Sequence, residues 1–313
     1  MIRYAGLLLA LGTVAGAAPE GWTSDFEAAK KQAAAEKKDL LIDFTGSDWC
    51  GWCIKLKKEV FDEQAFKDGV KDKFVLVEID FPQDESKLTP EVKLQNEKLQ
   101  ETYAVQGFPT IILADAAGRP YATTGYKEGG SKAYLPHLDE LRATKTAGDE
   151  KRAAAAKLAG PEKAAALAAS LEGLSDTVIT QFYPEVLAAI KEADPKDTSG
   201  FVKRIEGQAA FAAFETEIRD LFMKQDIKGA AEKVDKALAE KKFEGEFEQQ
   251  VIFIKMNLLV AQGKFDEAIK TVDEAAKAAP NSPIAAEAEG FKAQIEQLKK
   301  QAAAGGGEAP AAE

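Results

Sequence analysis

A run suited to a buried strand, Leu40-Leu41-Ile42-Asp43-Phe44, passes through the turn residues Thr45-Gly46-Ser47-Asp48 straight into Trp49-Cys50-Gly51-Trp52-Cys53. Apolar residues then continue to Val60 and Phe61 at helical spacing. This order, a strand, a turn and a Cys-x-x-Cys at the start of a helix, constrains the chain more than any other feature. Cys50 and Cys53 are the only 2 cysteines in 313 residues, so they have no disulfide scaffold to join. They pair with each other, bind something together, or exchange with a partner. Zinc takes about four ligands, and the chain adds a single histidine, His137, far away in sequence. A purely structural bridge over so short a loop would stabilise little, because the loop-closure gain grows with loop length. Thiol–disulfide exchange is the chemistry this arrangement suits.

Position assigns the sulfurs. At a helix N-terminus, unpaired N–H groups and the macrodipole favour a thiolate, so Cys50 is expected to be the exposed nucleophile. Lys55, Lys57 and Lys58 add to this and Asp48 opposes it. Cys53, one turn inward, is the expected resolving thiol. Trp49 and Trp52 flank the pair, either as an apolar contact surface for substrates or as packing.

The first residues set an expectation about compartment. Met1 to Ala17 carries one positive charge, Arg3, then Leu7-Leu8-Leu9-Ala10-Leu11, then small residues with Ala15 and Ala17 at the spacing a signal peptidase reads. Residues 1–17 are read as a secretory signal peptide, since the apolar stretch is short for a membrane anchor. The mature chain is expected to be extracytoplasmic, periplasmic or secreted, in an oxidising space, with no membrane span after signal removal. The formal net charge of −11 becomes −12 when Arg3 leaves. That argues against nucleic acid and anionic lipid as partners.

Composition changes near residue 145. Before it, strands and helices alternate. Ser24-Asp25-Phe26-Glu27 has capping-box spacing and opens a helix to about Lys38. Strands are expected at 40–44, 74–79, 111–113 and 121–124. Further helices are expected from Cys50, over Pro90 to Tyr103, and over Ser131 to Arg142. Such a pattern implies a mixed α/β sheet covered on both faces.

Residues 22–143 resemble the thioredoxin fold. The resemblance is carried by Ile42-Asp43-Phe44, Trp49-Cys50-Gly51-Trp52-Cys53, the strand ending Glu78-Ile79-Asp80, and Tyr103-Ala104-Val105-Gln106-Gly107-Phe108-Pro109-Thr110. More narrowly, the Cys-Gly-Trp-Cys segment resembles bacterial secreted thioredoxin-like proteins. The resemblance implies a cis Phe108–Pro109 bond beside the cysteines, with Phe108 and Pro109 joining Trp49 and Trp52 in substrate contact. Asp43 matches the family's buried carboxylate, which moves protons to the inner cysteine; a strand-end aspartate facing water is the alternative. Gly51-Trp52 replaces the usual Gly-Pro, so the direction of electron flow does not follow from resemblance.

After residue 145 the pattern is helical, punctuated by Pro161, Pro184 and Pro195. Asp226-Ile227-Lys228-Gly229-Ala230-Ala231 and Val234-Asp235 match Lys264-Phe265-Asp266-Glu267-Ala268-Ile269 and Val272-Asp273 at a spacing of 38 residues. The later copy resembles a tetratricopeptide repeat, whose period is about 34. Helical hairpins are expected at 201–240 and 246–280, with a final helix from Ile284.

The expected organisation is therefore a signal peptide, 1–17; a thioredoxin-like domain, 20–145, able to fold alone; a tetratricopeptide-like helical domain, 146–302; and a disordered tail, 303–313. The expected function is an extracytoplasmic thiol–disulfide oxidoreductase using Cys50 and Cys53 on protein disulfides or thiols, with a redox partner protein and helices that bind partners. No cofactor or resident metal is expected. Two alternatives remain open: a non-catalytic binding or scaffold protein, and a copper-handling protein in which both thiolates hold Cu(I).

Overall fold

The computed structural model describes residues 18–304. The expected signal peptide and residues 305–313 of the expected tail lie outside them. The first elements are β1 (Trp22–Thr23), α1 (Phe26–Glu36), β2 (Asp39–Thr45), α2 (Gly51–Leu56), α3 (Gln64–Val70), β3 (Phe74–Asp80), α4 (Pro90–Thr102), β4 (Thr110–Ala114) and β5 (Pro120–Thr124). Asp25, not Ser24, caps α1, its side chain accepting from the Ala28 N–H. The helix that follows Cys53 widens to a single π turn over Lys57–Phe61, a device often found near functional sites. Between β4 and β5, Gly118 takes φ +86°. Its carbonyl accepts from the Tyr103 hydroxyl at 2.6 Å, which ties that turn to the end of α4.

Among the described residues the sheet has five strands in the order β1-β3-β2-β4-β5. β1 and β2 run parallel to β3, whereas β4 is antiparallel to both β2 and β5. Alternation along the strands builds two cores. Leu40, Ile42 and Phe44 of β2 with Val75, Val77 and Ile79 of β3 face α1 and α4. Leu41 and Leu76 face the other way, toward Leu56, Val60, Phe66 and Tyr134. By the same alternation, Asp39 and Asp43 stand on the second face of β2, and Glu78 on the second face of β3. Asp43 and Glu78 are direct register partners.

Helix α5 (Gly130–Ala155) crosses residue 145 without a break. It carries Arg142 and Lys145 to the buried Asp39 carboxylate, to which the Tyr121 hydroxyl also donates at 3.0 Å. The helices α6 (Gly160–Ala169), α7 (Asp176–Phe182) and α8 (Pro184–Ala193) follow. Phe182 stacks on Tyr103 at 5.0 Å between centroids. Tyr183 is 3% exposed and donates its hydroxyl to the Pro120 carbonyl at 2.8 Å. The division expected at 145/146 therefore does not coincide with the compact units, the first of which ends at Val202 and the second of which begins at Lys203. The composition shift marks where strands stop, whereas the first compact unit continues for some fifty residues more, to Val202.

The later helices are α9 (Phe201–Met223), α10 (Ile227–Ala239), α11 (Glu246–Ala261), α12 (Phe265–Ala278), the single turn α13 (Pro283–Ala286) and α14 (Ala288–Ala304). They fall on the expected hairpins, and α14 carries helix into the first residues of the expected tail. The repeated positions are buried in both copies: Ala230 and Ala268, Val234 and Val272. None of the described helices is long and apolar enough to cross a membrane.

A fragment of residues 18–145 is expected to fold less stably than one of residues 18–200, because it loses Phe182 and Tyr183 from their sites. Complete burial of a large aromatic is worth about 1.5–3 kcal/mol, and Phe182, being half-buried, contributes less than Tyr183. Thermal melting of the two fragments measures the gap, and equal midpoints would show that the added helices contribute nothing.

Candidate active site

The backbone turns at Gly46, whose carbonyl accepts from the Cys50 N–H at 2.9 Å. A Cβ at Gly46 would come within 2.5 Å of the Trp49 indole, so glycine is what lets that ring fold back over the turn. Cys50 is the N-cap of α2, and its Sγ accepts from the Cys53 N–H at 3.2 Å. The two cysteines form a disulfide with Cα atoms 5.2 Å apart. Neither is exposed, at 6% for Cys50 and 3% for Cys53, whereas Trp49 is 50% and Trp52 57% exposed. The expected exposure of Cys50 is corrected accordingly: with the disulfide closed and Sγ turned onto the Cys53 amide, the flanking indoles form the accessible surface.

Three residues, Ser47, Asp48 and Trp49, staple this turn to the end of β3 and the segment after it. The Asp80 carboxylate accepts from Ser47 N–H at 2.9 Å and from its hydroxyl at 2.6 Å. Asp48 accepts from Gln83 N–H at 2.7 Å and from the Lys87 ammonium at 2.7 Å. Trp49 Nε1–H donates to the Phe81 carbonyl at 2.7 Å. The Lys87 bond, then the Gln83 amide, hold the Asp48 carboxyl at about 2. Its negative charge is thus matched locally. Two of the three lysines expected to favour the thiolate are also engaged: Lys57 pairs with Asp62, and Lys55 lies over the rings of Trp52 and Tyr126, 5.2 and 4.8 Å from their centroids.

The Phe108–Pro109 bond is cis. The Phe108 ring meets Trp49 edge-on at 5.9 Å and stacks on Phe81 at 5.2 Å. Phe108 is therefore brought against Trp49, the residue before Cys50, while Trp52 turns to Tyr126 at 5.3 Å.

Asp43 is 5% exposed, which removes the alternative of a strand-end aspartate facing water. Its Oδ1 has no hydrogen-bond partner among the described residues. Burial, then the carboxyls of Glu78 and Asp80, push its pKa well above the usual carboxylate range. Asp43, Cys53, Lys57 and Glu78 line one cleft. Glu78 is itself pushed up to about 7, by burial and then by Asp80. The sequence reading passed over Glu78 as a site residue, and over Asp80 and Tyr126. The available signal was a single charge interrupting the apolar run Phe74-Val75-Leu76-Val77-Glu78-Ile79.

A carboxyl whose folded pKa lies above its unfolded value binds its proton more tightly when folded. The stability it contributes is full below the unfolded value, near 4.5, and is lost as pH rises through about 7. The oxidised protein should lose on the order of 2 kcal/mol from this group across that window, after a discount for its partial exposure. Glu78→Gln should flatten that loss. Urea midpoints between pH 4 and 8 check it, and parallel curves for the two proteins would refute it.

The thioredoxin-like domain family matches residues 26–138. A disulfide bond reductase, DsbH of Chlamydia pneumoniae, is 36% identical over 114 residues, covering 36% of this chain and 68% of that protein. The thioredoxin-related protein DsbJ of the same organism is 31% identical over 131 residues, 38% of this chain and 36% of that one. The solved structure of a DsbH oxidoreductase is 29% identical, covers 44% of this chain and 94% of its own, and superposes with a TM-score of 0.37. With a relative at this identity spanned for two thirds of its length, and a bonded Cys50–Cys53 pair at the head of α2, the chain belongs to the thioredoxin-like family and is a thiol–disulfide oxidoreductase.

Proposed function

We propose that this protein reduces disulfides of client proteins outside the cytoplasm, with Cys50 as attacking thiol, Cys53 as resolving thiol and Asp43 as the group that takes the Cys53 proton. The observation that carries the reading is the Cys50 Sγ accepting the Cys53 amide at the head of α2. In the reduced protein the same amide and the helix dipole favour a Cys50 thiolate. That thiolate attacks one client sulfur, a Cys50–client bond forms, and the other client sulfur leaves and takes a proton from water. Cys53 gives its proton to Asp43 and attacks the Cys50 sulfur. The Cys50–Cys53 bond closes, and the second client sulfur leaves and takes a proton from water. The client gains two electrons and two protons, and a redox partner protein restores the dithiol. The raised pKa of Asp43 brings it toward the range in which a carboxylate trades protons with a thiol near neutral pH.

The direction is supported by the relative described as a disulfide bond reductase. The extracytoplasmic location is supported by the signal-like character of residues 1–17. Trp49, Trp52, Phe108 and Pro109 serve as the client contact surface, Trp49 and Trp52 being half exposed despite their size. The hairpins α9–α10 and α11–α12, with buried alanine and valine repeating at 38 residues, act as a tetratricopeptide-like module that holds partners. They contain no cysteine and no histidine, and so no group for exchange.

Cys53→Ser is expected to accumulate mixed disulfides with clients through Cys50, visible on non-reducing gels, while Cys50→Ser abolishes insulin reduction driven by a small dithiol. Trapping by Cys50→Ser instead would reverse the order of attack. Asp43→Asn should slow closure of the mixed disulfide by about tenfold or more at pH 7, with the first attack little changed. Stopped-flow of the two steps measures this, and an unchanged second step would remove Asp43 from the mechanism.

A further inference from the structure

The reaction requires a proton to leave a buried site. Asp43 is 5% and Cys53 3% exposed, and Asp43 Oδ1 has no hydrogen-bond partner among the described residues. That inner cleft is lined by Asp43, Cys53, Ser47, Lys57 and Glu78. A second, wider groove beside it is lined by Ser47, Lys57, Glu78, Asp80 and Lys87. Asp43 and Cys53 border only the inner space, and Asp80 and Lys87 only the outer. Glu78 borders both.

The strands explain the placement. β2 replaces the apolar residue that should follow Leu41 on its second face with Asp43, and β3 replaces the one after Leu76 with Glu78. The two substitutions fall in register across a parallel ladder, so both carboxyls stand side by side on the face that carries α2. Other charged groups facing Glu78 are Asp80 on its own strand and Lys57 on the π turn, the latter held by Asp62. Among the side chains shared by cleft and groove, Glu78 is the carboxyl, able both to accept and to release a proton.

We propose that Glu78 is a relay that carries the Cys53 proton from Asp43 to water in the outer groove, and inward again when the disulfide is reduced. The inference rests on Asp43 being the immediate acceptor. In the forward step Cys53 loses its proton to the Asp43 carboxylate, Asp43 passes it to the Glu78 carboxylate, and Glu78 releases it to solvent. The electron pair left on Cys53 forms the bond to Cys50 as the client sulfur departs. Glu78 touches no reacting sulfur and acts through Asp43, so it is a positioning residue. Its half-buried site and its pKa of about 7 suit such a relay.

The test uses the full-length reduced protein and 5,5′-dithiobis(2-nitrobenzoate). One coloured thiolate is released as Cys50 attacks and another as Cys53 closes the disulfide, so the second phase reads the resolving step. Glu78→Gln should slow the second phase about fivefold at pH 7, leave the first phase intact, and make the second depend on added imidazole at constant ionic strength. Imidazole should leave the wild type unaffected, and Glu78→Asp should recover part of the rate without it. The intact first phase reports that the variant is folded; if Glu78→Gln loses it, the Glu78→Asp pH profile and imidazole response decide in its place. A wild-type second phase without buffer dependence in Glu78→Gln, alongside a slow Asp43→Asn, would overturn the relay alone. A slow Glu78→Gln that imidazole does not rescue would also overturn it, leaving Glu78 as a charge that tunes Asp43. An unaffected Asp43→Asn would overturn the underlying reading and the relay with it.

Discussion

Strand β2 is the element on which the rest of the first unit depends, and its constraint is electrostatic. Every residue from Asp39 to Thr45 is buried, with hydrogen bonds to β3 on one side and β4 on the other. Two carboxyls stand on the same face of this strand. Asp39 is met by Arg142, Lys145 and the Tyr121 hydroxyl, which offset the several kcal/mol that a buried, unpaired charge costs. Asp43 forms no ion pair among the described residues and lies beside other carboxyls, so it holds its proton far more firmly than an exposed aspartate does. One end of the strand thus anchors α5 to the sheet, and the other holds a buried carboxyl without an ion-pair partner among the described residues.

The site is assembled from segments far apart in sequence, and the bonds among them are short and numerous. Ser47, Asp48 and Trp49 all reach the stretch from Asp80 to Lys87. Phe108 is pressed between Trp49 and Phe81. A turn held this way keeps the Cys50 sulfur over the Cys53 amide without having to find that geometry during reaction, the kind of preorganisation that lowers the entropic part of a barrier.

Much of this was legible in the chain. Cys-x-x-Cys after a strand located the redox pair, and apolar runs located β2, β3, β4 and β5, because those signals are local. What escaped was non-local. The pairing of Asp43 with Glu78 joins positions 35 residues apart, and no pattern within either strand declares it. β1 is two residues long, too short for an alternation to show. The reach of the first unit past residue 145 depends on Phe182 finding Tyr103, a contact that composition cannot display. Ser24 and Asp25 are both good caps, and only the backbone geometry chose Asp25.

The sheet ends in edges that offer little to a passing strand. β1 at one side has two residues. β5 at the other opens with Pro120, which has no N–H to give, and the Pro120 carbonyl is already taken by Tyr183. An exposed strand edge is a template on which another chain can pair and aggregates can grow. With β1 this short and the first carbonyl of β5 occupied, the surface that stands out beside the disulfide is the pair of indoles, Trp49 and Trp52, and not a long strand edge.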